Sequence, residues 1–561
     1  MKAPDIKAVF EKLNIDVNSL GDENIRQAIV LLYNLIEDLS TTIRELQEEN
    51  QRLRDENNRL KGEQPKPNIR PNKGGGREQG NVSSEAERKD IDKPPLKPRG
   101  SKIEKIKIDR TQICEVDRSI LPEDAEFKGY ETVIVQDLKI ETDNIEFRKE
   151  VFYSPSQGKS YRGQLPAGYD GEFGPTVKAL TIILKYVCNT SEPKILEFFT
   201  NFKIFISGAS ISRMLTKNME VFHQEKKDIY RAGLESTRYQ QIDDTGARVN
   251  GKNYHTHVVC NEFYTAYFTK EHKDRLTIID ILRNSQERRF CFNEEARELL
   301  EQLKVPKKVM EVVSTIFSKD HEYSQAEVEA LISEHLPNIG ELHKSRILEA
   351  SAIASYHQEV GYPVVEVLVC DDAAQFKLVA LWLALCWVHD GRHYKKLSPV
   401  VPDHAEKLKE FLGRYWAYYK RLVEFKQQPS QELAQKLAKD FDILFSTTTG
   451  YAQLDERIAK TKDKKEHLLM VLKYPEIPLH NNASELGARA QARIRDVSLQ
   501  DKTKEGTQAR DSSLTIVQTA KKLAVNAYHY ICDRVSKRFL LPSLAQIIRE
   551  KSRGCGKCDS G

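Results

Sequence analysis

The clearest hydrophobic pattern in the chain is a seven-residue repeat between residues 22 and 62. Isoleucine at position a with leucine at position d favours a parallel two-stranded coiled coil, and asparagine at a fixes its register. Glu49 at position g would then face Arg54 at position e of a second chain. The repeat predicts a homodimer, with an amphipathic helix packed on its own body as the alternative. The d positions are Leu32, Leu39, Leu46, Leu53 and Leu60, and the a positions are Ile29, Ile36, Ile43, Asn50 and Asn57.

The pattern changes abruptly after Gly62, where the first predicted region, 1–62, ends. Residues 63–102 are rich in proline, glycine and lysine and have almost no large apolar side chain, which predicts a disordered linker. Its lysines and arginines are candidates for contacts with DNA phosphates, although a plain solvated linker is the simpler interpretation. Residues 103–172 then contain short strand-like segments and predict a small β module.

Residues 173–236 return to helical spacing and contain three amphipathic segments. Ser191 is placed as the N-cap of the second helix, with Pro193 in its first turn. Helix, short turn and helix resemble a helix-turn-helix, whose second helix can enter the major groove of DNA. A structural helical bundle is the alternative, because "SISRMLTKN" has few side chains suited to reading bases.

Residues 237–500 combine strand-like and helical patterns and predict an α/β core. Apolar and polar residues alternate on both sides of the turn "RVNGKN", which is a strong hairpin signal. A short buried strand is predicted to end at Cys370. Charged helical stretches at about 285–358 and 400–470 predict insertions into this core, and 501–561 predicts a C-terminal helical region and tail.

The composition narrows the class of protein. A chain of 561 residues is too long for one core and predicts several domains. With 30% charged residues and no apolar run of about 18–20 residues, the chain is expected to be soluble, with no membrane partner. Its start lacks the apolar centre of a signal peptide, and its scattered cysteines favour a reducing cytoplasm. A net charge of +4 says little about a nucleic-acid partner.

Three acidic points stand out against this background. Asp243 and Asp244 are predicted at the end of a strand, Asp371 and Asp372 at the end of a buried strand, and Glu485 at the start of a helix. Carboxylates at strand ends lie at the rim of an α/β sheet, where ligands usually bind, although turn-starting aspartates are often only structural. Together the acids suit a two-metal site, because Mg²⁺ prefers oxygen ligands and paired ions assist phosphoryl transfer.

Four blocks around these acids resemble, in order, the signature blocks of the insertion-sequence 66 family of DDE transposases. The blocks are "QIDDTGARVNGK", "VLVCDDAAQF", "CWVHDGRHYKKL" and "IPLHNNASELGAR", and the resemblance covers roughly 150–530. It implies an RNase H-like catalytic core, preceded by the coiled coil, the β module and the helix-turn-helix-like domain. It also implies that Asp243, Asp371 and Glu485 are the catalytic, metal-binding triad, with Asp244 and Asp372 at less constrained positions.

The resemblance implies a DNA transposase that cuts the ends of its element and joins the freed 3′-hydroxyl to target DNA. Two Mg²⁺ ions, or Mn²⁺, would be the cofactors. The implied partners are double-stranded DNA (terminal repeats and target), a second copy of the chain and accessory proteins of the same element, in the bacterial cytoplasm. Two alternatives stay open: a catalytically inactive or domesticated dimeric DNA-binding protein, and an RNase H-type nuclease without strand transfer.

Further candidate residues lie close in sequence to the acids. His389 is a candidate to orient water or the scissile phosphate, with a core or surface histidine as the alternative. Basic side chains in the same blocks are candidates to neutralise DNA phosphates, although basic helix faces are usually only solvated. These DNA-binding candidates are Arg392, Lys395, Lys396, Arg489, Arg493 and Arg495.

The chain departs from the family pattern in its cysteines and at Leu486. The small module of many members binds zinc through two cysteine pairs, but only Cys114 is present here, so no zinc is expected. Leu486 follows Glu485 where an arginine is more usual. The stretch 285–358 is also longer than usual. Cys555 and Cys558 form half a zinc site, which we interpret as a tail because no second pair lies nearby.

Overall fold

The structure is a computed structural model that describes residues 21–60, 106–122 and 125–555. The linker predicted at 63–102 and Cys558 lie outside the described residues. Most of the described chain is helical, and its strands form one two-stranded and one five-stranded sheet. The helices before the large sheet are α1 (Glu23–Leu60), α2 (Pro175–Tyr186), α3 (Glu192–Asn201), α4 (Gly208–Thr216) and α5 (Glu220–Ser236).

Helix α1 covers the predicted seven-residue repeat almost from end to end. Its leucines face solvent in the single chain, since Leu32, Leu39, Leu46 and Leu53 are each more than half exposed. The helix therefore forms as the pattern predicts, and its pairing with a second chain stays a prediction.

The region predicted as a small β module contains only one hairpin among its described residues. Strands β1 (Val151–Ser154) and β2 (Lys159–Arg162) pair antiparallel, and the described residues from 106 to 150 contain no strand. Apolar residues do alternate there, but Val133, Val135 and Leu138 are each at least 77% exposed. The prediction of several short strands was wrong because this alternation has no second layer against which to pack.

The helices predicted between 173 and 236 are present as α2, α3 and α4, followed by α5. Ser191 occupies the N-cap position of α3, although its side chain makes no capping hydrogen bond. Ser207 does cap α4, because its hydroxyl oxygen accepts the backbone N–H of Ser210. Whether these helices read DNA stays a prediction.

The large sheet has the strand order β5-β4-β3-β6-β7. Strands β3, β4 and β5 form an antiparallel meander, while β6 and β7 extend the sheet parallel to β3. The predicted hairpin turn between β3 and β4 is confirmed, with Asn250 and Gly251 both at positive φ (48° and 78°). The strands are β3 (Tyr239–Val249), β4 (Lys252–Cys260), β5 (Thr265–Lys270), β6 (Val367–Cys370) and β7 (Trp382–Leu385).

Two groups of helices include the stretches predicted as insertions, about 285–358 and 400–470. The first lies between β5 and β6 and comprises α6 (Arg275–Leu282), α7 (Glu294–Gln302), α8 (Lys307–Ile316), α9 (Gln325–His335) and α10 (Glu341–His357). The second follows β7 and comprises α11 (Trp387–Lys395), α12 (Pro402–Gln427), α13 (Gln431–Leu444), α14 (Ala452–Lys462) and the short α15 (Lys465–Leu468). Most of α10 is buried on all sides, so the insertion is part of the core rather than an appendage.

The C-terminal helices pack back onto the earlier parts of the chain. They are α16 (Asn482–Ser498), α17 (Lys504–Lys522), α18 (Ala527–Val535) and α19 (Leu544–Cys555). Arg534 on α18 lies 3.4 Å from the Glu225 carboxylate on α5, and both side chains are buried. One hydrophobic cluster runs from α2 to α19, and we call residues 173–555 the body. No described helix combines the length and apolar character needed to cross a membrane.

Candidate carboxylate site

The first aspartate lies in the middle of a strand rather than at its end. Strand β3 continues past Asp243 as far as Val249, because its pairing with β4 is unbroken over that length. The prediction of a strand end was therefore wrong. What ends is the parallel pairing with β6, which covers only Tyr239 to Gln241. Asp243 thus lies just beyond the part of β3 that β6 covers.

The second aspartate follows β6 directly. Gln241 on β3 is paired with Val369 on β6, so the same register carried two residues further brings Asp243 alongside Asp371. The Asp371 Oδ1 accepts the backbone N–H of Ala373 at 3.1 Å, and the Asp243 Oδ1 accepts that of Asp244 at 2.9 Å. The sheet register therefore aligns two carboxylates from segments 128 residues apart in the chain.

Glu485 reaches the same face of the sheet from the first turn of α16. Val258 on β4 is the cross-strand partner of Asp243, and directly opposed residues of an antiparallel pair share one face. A Cβ added at Gly487 would lie 2.7 Å from the Val258 Cγ1. The Tyr267 hydroxyl donates a hydrogen bond to the Gly487 carbonyl oxygen at 3.1 Å. A glycine two residues after Glu485 thus lets α16 approach the Asp243 face closely.

Asn481 attaches the start of this helix to the strand that carries Asp243. Its side-chain Nδ2 donates to the carbonyl oxygen of Ile242 at 2.6 Å, and its backbone N–H donates to the Cys386 Sγ at 3.2 Å. Asn481 is almost fully buried and is the N-cap residue of α16, without a side-chain capping bond. The asparagine therefore fixes the position of Glu485 relative to Asp243 rather than capping the helix.

The two aspartates and the glutamate also influence one another electrostatically. Burial raises the pKa of Asp243 to about 7, and the negative charges of Asp371 and Glu485 contribute to the rise. Burial likewise raises the pKa of Asp371, with contributions from the charges of Asp244 and Asp372. A nearby cation would stabilise the ionised form of such carboxyl groups.

The second aspartate of each pair has a different environment. The Asp372 carboxylate lies 2.8 Å from the Lys377 Nζ and 2.5 Å from the Lys464 Nζ. Burial alone would raise the pKa of Asp372, but its hydrogen bonds to the two lysines outweigh burial and lower it. Asp244 accepts a hydrogen bond from the Gln375 Nε2 at 2.8 Å, and the Lys273 Nζ lies 3.9 Å away. Asp244 and Asp372 therefore have polar partners of their own, although the charges of both raise the pKa of Asp371 and that of Asp244 also raises the pKa of Asp243.

His389 and Arg392 contact the glutamate from α11. The Arg392 Nη2 lies 3.2 Å from the Glu485 Oε2, and the His389 Nε2 lies 3.5 Å from the Oε1. Burial lowers the pKa of His389, opposed by the charge of Glu485. The other ring nitrogen, Nδ1, is buried and has no hydrogen-bond partner among the described residues. The next residue, Asp390, points instead into the helical layer, where it pairs with Arg457.

The chemistry of these donors fits a divalent cation. Two buried carboxylates with raised pKa values, joined by a third acid, are oxygen ligands of the kind that Mg²⁺ prefers. However, no three histidine, cysteine, aspartate or glutamate side chains of the described chain surround a common point suited to a metal ion. The Glu485 carboxylate is instead in contact with Arg392, His389 and Arg489. The residue types that Mg²⁺ prefers are therefore present, but these side chains do not surround one common point.

The six predicted DNA-binding residues comprise a group that contacts the site or its strand, an exposed group, and one half-buried lysine. Arg392 and Arg489 contact Glu485, and the Arg495 Nη1 donates to the Gly246 carbonyl oxygen at 2.5 Å. Lys396 and Arg493 are exposed. Lys395 is half-buried at the end of α11. The first group therefore contacts the site and its strand, and the binding of DNA phosphates by any of the six residues stays a prediction.

Sequence reasoning missed the functional importance of Asn481 and Gly487. Asn481 stood inside a quoted block, but only the fold shows that its side chain reaches Ile242. Gly487 did carry a signal, because glycine inside a helix costs about 1 kcal/mol relative to alanine and often marks a close approach. Gln375 had no such signal, since its contact with Asp244 depends on the path of the chain after β6.

Comparisons with known proteins place the chain in a family. The model of the transposase IS66 family matches residues 343–509, a range that contains Asp371, His389 and Glu485 but begins after Asp243. The uncharacterized protein y4jO of Sinorhizobium fredii (strain NBRC 101917 / NGR234) is 32% identical over 308 residues, which is 54% of this chain and 94% of that protein. The chain belongs to the IS66 family of transposases.

Proposed function

We propose that the protein is a DNA transposase that cuts the ends of its element and transfers the freed 3′-hydroxyl to target DNA. The observation that carries the proposal is the acidic cluster, in which Asp371 and Glu485 contribute to a pKa of about 7 for Asp243. The mixed five-stranded sheet, with these acids just beyond the paired part of β3 and β6, supports the RNase H-like core implied by the family.

Asp243, Asp371 and Glu485 would hold the Mg²⁺ or Mn²⁺ ions. When bound, such ions activate a water or hydroxyl nucleophile and stabilise the leaving oxygen of phosphoryl transfer. The chain's own residues contribute the rest. Asn481 fixes the start of α16, and His389 and Arg392 hold the Glu485 carboxylate while partly neutralising its charge.

Double-stranded DNA is the proposed substrate. Lys396 and Arg493 would bind its phosphates outside the acidic cluster, and Arg489, about half exposed, would do so at the rim. Two copies of the chain, joined through the leucine row of α1, would bring two carboxylate sites to two element ends. Such binding is electrostatic and should weaken steeply as salt is added.

The test is a joining assay with the full-length protein, end-labelled DNA of the element's terminal sequence, a target plasmid and Mg²⁺. The wild type should cut the end and join it to the target, while Asp371→Asn should do neither and still bind the DNA. Cleavage without joining by the wild type would instead identify a nuclease. DNA binding by the wild type with neither reaction would identify a non-catalytic binding protein.

A further inference from the structure

Helix α1 contacts the body along one side of its first half. The Asn34 Nδ2 donates to the Gly450 carbonyl oxygen at 3.1 Å, and the Asn34 Oδ1 accepts the Ala452 N–H at 2.9 Å. The Gln453 Nε2 donates to Asp38 at 3.0 Å. These bonds use both halves of one side-chain amide, so the helix is docked in a defined register. An apolar cluster adds to the contact, in which Ile29, Val30 and Tyr33 of α1 pack with Val400 and Val401 of the body.

Glu37 lies at the centre of this contact. Its side chain is only 2% exposed, and its Oε1 accepts the backbone N–H groups of Val400 at 2.9 Å and Val401 at 2.8 Å. Val401 is the N-cap residue of α12, where a helix presents unpaired N–H groups and favours negative charge. The His404 Nδ1 lies 3.4 Å from the same oxygen. A buried carboxylate of α1 is thus neutralised by the start of a helix of the body.

The leucine row lies on the opposite side of α1. Successive residues of an α-helix are turned by about 100°, so side chains two positions apart point about 160° apart. Glu37 stands two positions before Leu39, and Asn34 stands two positions after Leu32. Glu37 and Asn34 are therefore turned away from the leucine row, whereas Ile29, an a position of the repeat, packs in the apolar contact with the body. The exposure of Leu32, Leu39, Leu46 and Leu53 by 54–63% agrees with this separation.

A second copy of this chain is the partner that the leucine face fits. The row keeps a seven-residue spacing, which a helix of identical spacing matches along its whole length. Over the 21 residues from Leu32 to Leu53 the row is about 30 Å long, too long for one small apolar patch. In the parallel arrangement Glu49 of one copy faces Arg54 of the other, so the flanking charges are complementary.

We infer that α1 binds its own body and a second copy at the same time, through opposite faces. The dimer then holds its two bodies rigidly against the coiled coil, with Glu37 as the anchor, instead of leaving them on the chain that connects α1 to the body. Two carboxylate sites would keep a fixed separation, as the pairing of two DNA ends requires. The docking itself does not depend on the chemistry proposed for those sites.

The test measures dimerisation and docking on the body separately in the full-length protein. Molar mass is measured by light scattering at micromolar concentration, and amide hydrogen exchange is followed at Val400 and Val401. The wild type should be a dimer with both amides protected. Leu39→Lys/Leu46→Lys should halve the mass and keep the protection. Glu37→Ala should keep the mass and speed exchange of the two amides on the order of tenfold or more.

A matched control and two contrary results complete the test. Leu31→Lys adds the same charge at a leucine that is 70% exposed and does not belong to the leucine row, so mass and protection should stay as in the wild type. A monomeric wild type would overturn the inference. So would a Glu37→Ala variant that becomes monomeric or leaves the two amides protected. The melting temperature of each variant checks that the body remains folded.

Discussion

Two pairs of adjacent aspartates differ sharply within each pair. The first members, Asp243 and Asp371, have raised pKa values and lie among other acids, whereas Asp372 is held between two lysines and has a lowered pKa. Neighbouring residues of a strand point to opposite faces, which explains the division between Asp243 and Asp244. The comparison teaches that the surroundings of a carboxylate, and not its place in a motif, decide the direction of its pKa shift.

The largest expected effect comes from exchanging one member of a pair at a time. Asp371→Asn keeps the shape of the side chain and removes its charge, so DNA cleavage should fall by about 10²–10³-fold or more. Asp372→Asn is the matched control, since it removes the ion pairs with Lys377 and Lys464 and one charge that acts on Asp371, but keeps the Asp371 carboxylate itself. Cleavage should stay within a few fold. An equal loss of cleavage in both variants would contradict the proposed difference between Asp371 and Asp372.

The second effect is on stability and follows from the raised pKa of Asp243. A carboxyl with a folded-state pKa of about 7 holds its proton more tightly than in the unfolded chain. The contribution of this group to folding stability is therefore fully present below about pH 4 and is lost as the pH rises through about 7. Without divalent ions, Asp243→Asn should therefore be more stable than the wild type at pH 8, by up to about 4 kcal/mol. Urea unfolding at pH 4 and pH 8 measures the difference.

The matched variant for this effect is Asp244→Asn, which alters the residue that faces Gln375 and Lys273. Its stability difference from the wild type should change far less between the two pH values. An Asp243→Asn variant that is destabilised equally at pH 4 and pH 8 would contradict the electrostatic explanation.

The third effect concerns the third acid. Gly487→Ala would place a methyl group 2.7 Å from the Val258 Cγ1 and push α16 away from the sheet. We expect cleavage to fall by about 10–100-fold, because small displacements of catalytic groups are costly. Val258→Ala should restore much of it in the double variant by removing the opposing methyl group. Gly413→Ala, where nothing lies within 4 Å of an added Cβ, is the control and should leave cleavage unchanged.

The smallest expected effect is on DNA binding and comes from basic residues outside the two aspartate pairs. Lys396→Ala and Arg493→Ala should weaken DNA binding only several-fold at physiological salt. Each should also reduce the slope of log affinity against log salt by about one, whatever the DNA sequence. Fluorescence anisotropy over a range of salt concentrations measures both quantities. An unchanged slope would show that these side chains do not contact phosphate.

Local patterns predicted much of the fold. The seven-residue repeat matched α1 closely, and the asparagine-glycine turn marked the β3–β4 hairpin. The strands predicted before β1 are absent from the described residues 106–122 and 125–150, because alternation alone does not show whether a second layer exists. The end of β3 was misplaced because the strand is paired with β4 on one side long after β6 has ended on the other.

The site could be predicted only in part, because many of its contacts join segments that are distant in the sequence. Asp371 follows a recognisable buried strand and Glu485 lies at a recognisable helix start, while the triad of Asp243, Asp371 and Glu485 was implied by the family resemblance and stays a prediction. The contacts that orient them join distant segments, as when Asn481 reaches Ile242 or Arg392 reaches Glu485. No local pattern specifies such contacts, because they depend on how the helices pack against the sheet.

The most direct measurement uses electron paramagnetic resonance to determine the affinity of the full-length protein for Mn²⁺ in the absence of DNA. The account predicts that the wild type and Asp372→Asn bind Mn²⁺ alike, and that Asp243→Asn, Asp371→Asn and Glu485→Gln each weaken binding at least about tenfold. Equal Mn²⁺ affinity in all five proteins would contradict the claim that these three acids form one cation site.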